Sequence, residues 1–95
     1  MIERHITFTV ADGRDTEFER FIAEQYAPAV AAAPGHVRLE LLRELDQPMR
    51  YQLMFRWESA DDAVGWRTSP VHTALQPALN ALATTVEIAA YQVIA

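Results

Sequence analysis

Arg4 puts a guanidinium on the apolar side of an alternating segment, among Ile2, Ile6, Phe8 and Val10. A charge in such a place must reach water, pair with an acid or bind an anion. Glu58 and Glu87 are the acids that could neutralise it, and a phenolate, carboxylate or peroxide is the alternative. His72 follows the stripe residue Val71 and lies one helical turn before Leu75 and Gln76. Its ordinary pKa is near neutrality, so it suits proton transfer or hydrogen bonding. Trp66 shares a side with Ala63 and reads either as a pocket wall or as a core residue closing a short helix. Tyr51, Phe55 and Trp57 alternate on one strand face; with Gln76 they are the candidate substrate-pocket residues, although Phe55 and Trp57 read equally well as core. His5 and His36 have no partner at metal-ligand spacing, so no metal site is expected.

Composition narrows the chemistry further. The 95 residues make one domain, 1–95, with a net charge of -5. Such a chain repels phosphate backbones, so no nucleic-acid partner is expected. There is no cysteine, which excludes thiolate catalysis, iron–sulfur clusters and cysteine zinc sites. All 8 cationic residues are arginine, so Schiff-base chemistry and a P-loop lysine are excluded too. The N-terminus is charged from its third residue and then alternates, unlike a leader peptide. No run is long and apolar enough for a membrane span, and the expectation is a soluble cytoplasmic protein without a membrane partner.

The elements that must position these residues follow from periodicity. Residues 2–10 alternate as a strand and end at Asp12-Gly13. A helix follows, with Thr16 to Glu19 as its capping box and a stripe through Phe18, Phe21, Ile22, Tyr26 and Val30. Pro28 should kink it and Pro34-Gly35 should end it. Residues 36–45 and 50–57 read as a strand hairpin around Asp46-Gln47-Pro48. Ser59 opens a short helix over about 60–67, and Ser69-Pro70 opens another that should break or bend near Pro77. Residues 85–94 form the last strand, apolar on both faces.

Strand-helix-strand-strand-helix-strand predicts an α+β ferredoxin-like βαββαβ sandwich, with helices on one face of an antiparallel sheet. The other face would carry His5, Arg38, Glu40, Leu42, Met54, Arg56, Ala89, Tyr91 and Val93. That mixture suits a second copy of the same sheet better than water, so a homodimer is expected.

The Pro34-Gly35-x-Val37 turn, the Trp57-Glu58-Ser59 corner and the Trp66-x-x-Ser69-x-x-His72 segment resemble the antibiotic-biosynthesis monooxygenase family, the dimeric α+β-barrel proteins. The resemblance covers nearly the whole chain. It implies a dimeric α+β barrel and oxidation of small anthrone-like polyketides by O₂, with no metal and no bound cofactor. Under it Trp66 would be a wall, Arg4 would hold a substrate anion and His72 would move a proton. The haem-degrading branch carries a strand-one asparagine and an iron-ligating histidine where Arg4 and Gln76 stand here, and glutamine is a poor iron ligand. Two other readings on the same fold are a non-catalytic dimeric binder of a small aromatic ligand and a non-redox isomerase or cyclase.

Overall fold

The computed structural model describes residues 1–95. Strand β1, Ile2–Val10, is central; it pairs antiparallel with β3, Arg50–Trp57, and with β4, Ala83–Gln92. Strand β2, His36–Arg43, flanks β3, so the sheet order is β2-β3-β1-β4. Helix α1, Asp15–Phe21, runs through a π-helical turn, Ile22–Tyr26, into α2, Ala27–Ala31. Helices α3, Ala60–Arg67, and α4, Pro70–Leu82, connect β3 to β4. This is the expected ferredoxin-like order.

Burial along β3 alternates, with Tyr51, Leu53, Phe55 and Trp57 buried and Gln52, Met54 and Arg56 half-buried. The buried set faces Phe18, Phe21, Ile22, Tyr26 and Val30 of the first helical rod and Trp66, Leu79 and Leu82 of α3 and α4. One face of the sheet therefore carries the core, as its period-two pattern requires.

Several boundaries differ from the sequence reading. Thr16 is not a cap: α1 begins at Asp15, and the Arg14 carbonyl accepts the first helical bond from Phe18 N–H at 2.9 Å. The Arg14 guanidinium instead clasps Glu17 at 2.8 Å. Pro28, expected as a kink, is taken up by the wider π turn before it, where Ala27 N–H bonds back to the Ile22 carbonyl. Helix α4 runs unbroken through Pro77. Strand β2 stops at Arg43 because Glu44 N–H and Arg50 N–H close the hairpin turn. Strand β4 starts at Ala83, directly at the end of α4, with no loop between them.

The other corners hold as read. Ser59 Oγ accepts from Asp62 N–H and Ser69 Oγ from His72 N–H, both at 3.2 Å. The second bond fixes His72 in the first turn of α4. Gly35 ends the helical rod at φ +79, where a Cβ would also run into the Asp62 side chain.

Candidate active site

Arg4, Ile6 and Phe8 of β1 form part of the floor of a cavity of about 210 Å³ beneath the helices. Phe55 stands opposite Arg4 on β3, while Thr85 and Ile88 continue the floor on β4. The roof is Tyr26 from the π turn, Trp66 and Arg67 from α3, and His72, Gln76 and Leu79 from α4. Trp66, Gln76 and Arg4 are thus brought together with His72 and Phe55. Tyr51 and Trp57 do not line this cavity. Tyr51 lies toward the far end of β3 against Phe18, with its hydroxyl donating to Glu19. Trp57 is fully buried behind Trp66, the two indoles stacked at 6.4 Å and 24°. It supports the wall without being the wall.

Two lining residues escaped the sequence reading. Tyr26 reads in the sequence as an ordinary member of the core stripe, and Arg67 carries no assigned role there. The Trp66 ring meets His72 edge-on at 5.4 Å and Tyr26 edge-on at 5.7 Å, so it holds both against one cavity.

Arg4 is 8% exposed and forms no salt bridge. Neither Glu58 nor Glu87 pairs with it. Burial lowers its pKa first, and the neighbouring Arg67 lowers it further, while Tyr26 opposes. An arginine starts so high that it stays cationic at neutral pH. Burial also lowers the pKa of His72, aided by the charges of Arg4 and Arg67. His72 is therefore a neutral imidazole at pH 7, able to accept a proton. Burial raises the Tyr26 phenol, against smaller pulls from Trp66 and Arg4. That hydroxyl stays protonated and can donate a hydrogen bond. The Trp66 indole N–H and the Gln76 Oε1 are buried without an aligned hydrogen-bond partner.

A shallower groove of about 390 Å³ lies on the other side of Trp66, between α2 and the α3–α4 corner. Ala29, Ala33, Pro34, Gly65 and Val71 line it, and it holds neither a cation nor a histidine. Nowhere do three His, Asp or Glu side chains gather in a metal-holding cluster. No helix is long and apolar enough to cross a membrane.

The antibiotic biosynthesis monooxygenase model matches residues 1–78. The chain belongs to this family. Its fold is similar to that of SnoaB from Streptomyces nogalater, described as a cofactor-independent oxygenase, at a TM-score of 0.88 and 31% identity over 99% of this chain and 93% of SnoaB. It is also 38% identical over 63 residues to a 42.8 kDa protein of the whiE locus of Streptomyces coelicolor, covering 66% of this chain and 16% of that protein. Protein SchA of Streptomyces halstedii is 35% identical over 49 residues, 52% of this chain and 13% of SchA. The chain thus spans under a fifth of the length of these two larger relatives.

Proposed function

We propose that this family member is a cofactor-independent monooxygenase that oxidises a small aromatic, polyketide-like substrate of the anthrone type with O₂. The observation that carries the reading is the buried, acid-free Arg4 beside a neutral His72 in an aromatic-walled cavity. The likeness to SnoaB, which extends over nearly both chains, supports the reaction class.

An anthrone methylene is acidic because its carbanion is an oxyanion conjugated through two rings. His72 takes the first proton. The oxyanion that forms is held by the Arg4 guanidinium and the Tyr26 hydroxyl, both set in place before the charge develops. The electron-rich anion passes one electron to O₂, and the resulting radical and superoxide combine in a carbon–oxygen bond. Loss of the second methylene proton with cleavage of the oxygen–oxygen bond leaves a carbonyl. The balance is CH₂ + O₂ → C=O + H₂O.

Oxygen uptake on dithranol, a dihydroxyanthrone, is expected, with one O₂ consumed per quinone formed. Exhaustive EDTA treatment should leave turnover intact. Activity abolished by EDTA and restored by one metal would refute the cofactor-independent reaction. Tight binding of dithranol with no uptake above the uncatalysed rate would instead leave a ligand-binding protein.

The reading includes a homodimer through the helix-free face. Leu42 and Tyr91 are exposed there. At the centre Glu3, only 9% exposed, accepts bonds from Arg56 and is linked to His5 and Arg38. Stable pairs usually bury roughly 1,200–2,000 Å². Met54 stands between His5 and Glu40 in register. Met54→Asp should shift sedimentation from dimer toward monomer, by burying an unpaired carboxylate beside Glu40. Wild type sedimenting as a 10.7 kDa monomer at micromolar concentration would remove the dimer.

A further inference from the structure

Arg4 and Arg67 are the two arginines of eight with no acid within 4.0 Å; the other six are paired. Both line the cavity that holds His72, and no aspartate or glutamate lines it. His72 also sits in the first turn of α4, at the positive end of that helix. Every charge around the imidazole therefore opposes its protonation, and burial opposes it further. A base that takes up a proton in such a place needs an acceptor for the N–H of its imidazolium. In a Ser-His-Asp arrangement a carboxylate has that role. A carboxylate here would pair with Arg4 and occupy the place of the substrate oxyanion.

Gln76 is the one lining side chain that carries an amide oxygen. The residue is half-buried, yet its Oε1 is out of water and has no donor. Such an unpaired acceptor is uncommon in a folded interior and needs an explanation. Gln76 follows His72 by four residues on the unbroken α4. A helical side chain leans toward the helix N-terminus, over the residue four before it, so the amide leans toward the imidazole. The last torsion of a glutamine is soft, and Oε1 can swing without moving the helix.

We propose, resting on the oxygenase reading of the site, that Gln76 is the positioning residue for His72: its Oε1 accepts the N–H of the imidazolium as His72 takes the substrate proton. One ring nitrogen receives the methylene proton, and the other presents its N–H to the amide, which fixes the orientation of the ring. The proton later leaves in the water formed when the oxygen–oxygen bond breaks. Being neutral, the amide stabilises the imidazolium without discharging Arg4.

Proton NMR titration of the His72 ring in the substrate-free protein tests the pair, with the signal assigned by its loss in His72→Gln. Gln76→Met keeps the length of the side chain and removes the acceptor, so the His72 midpoint should fall below that of wild type. Gln76→Glu should raise it. Arg4 on β1, Arg67 on α3 and Tyr26 on the π turn face the same cavity and are unaltered in both variants. On dithranol, Gln76→Met should lower kcat by about tenfold or more, with KM little changed. The acid limb of its rate profile should follow the NMR midpoint. Its melting temperature should stay at or above the wild-type value, because the variant removes a buried unpaired oxygen. An unchanged midpoint or an unchanged kcat in Gln76→Met, or a midpoint in Gln76→Glu no higher than that of wild type, would each overturn the proposal. Midpoints that move in the two expected directions, found alongside no oxygen uptake on dithranol, would keep the His72–Gln76 pair and remove the oxygenase reaction.

Discussion

Arg4→Met is expected to leave the melting temperature at or above the wild-type value while lowering kcat/KM for dithranol by about 10–150-fold. The two halves have one cause. No acid faces Arg4, so its removal strands no partner. Taking a cation out of an apolar cavity relieves a desolvation cost, and methionine is long and flexible enough to fill the same space. The loss falls on the bound anion, because a hydrogen bond to a charged group contributes roughly 1.5–3 kcal/mol. Thermal unfolding and steady-state kinetics on the same preparation check it. A drop of several degrees with kcat/KM unchanged would show that Arg4 is structural. For a chain this size roughly 4–8 °C corresponds to 1 kcal/mol, so such a loss would be plain.

The same residue shows what a sequence can reveal about a site. Arg4 was legible because a charge in a period-two apolar face contradicts its surroundings, and that contradiction needs no structure to see. His72, Gln76 and Trp66 reach the cavity because the cap residues Ser59 and Ser69 phase both helices; the sequence alone leaves Trp66 open between wall and core. Tyr51 and Trp57 fall outside this cavity for the opposite reason. Alternation along β3 says which face a side chain occupies but not how far along the strand the cavity lies. Only Phe55, opposite Arg4, stands at the right height. Tyr26 was hidden by the π turn, which adds a residue to the helix and rotates the stripe beyond it. Pro28 follows that turn, but Pro77 sits in the stripe of a regular α4, so a proline alone does not reveal it. Arg67 gave no signal, since a cation in the last turn of a helix is ordinary; what marks it is the missing acid, which only the folded chain displays.

His72 carries the other large effect. His72→Gln should lower kcat on dithranol by about 10²–10⁴-fold, the usual contribution of a positioned base. The pH dependence makes the assignment specific. Arg4 on β1 and Arg67 on α3 are the charged groups sharing its cavity, Tyr26 on the π turn is its titratable neighbour, and no acid lines the cavity. Burial and the two cations hold the imidazole below its ordinary 6.5, so the acid limb of kcat/KM should lie under that value and the profile should be flat through pH 7. Stability moves the same way. Between the native and unfolded pKa values the unfolded chain binds the proton and the native chain does not, so unfolding free energy rises with pH. The contribution is complete above the unfolded value near 6.5 and is lost as pH falls toward the native one. The carboxylates of Glu3 and Glu17, held low by His5 with Arg56 and by Arg14, weaken the fold only at more acid pH, around and below 4.5. Subtracting the pH–stability curve of His72→Gln from that of wild type should therefore leave one step below 6.5. The acid limb of the rate profile should vanish from the residual activity of the variant. An acid limb that survives unchanged in His72→Gln would move the base elsewhere. A limb at or above 6.5 in wild type would mean that an acid, absent from the cavity walls, reaches His72 in solution.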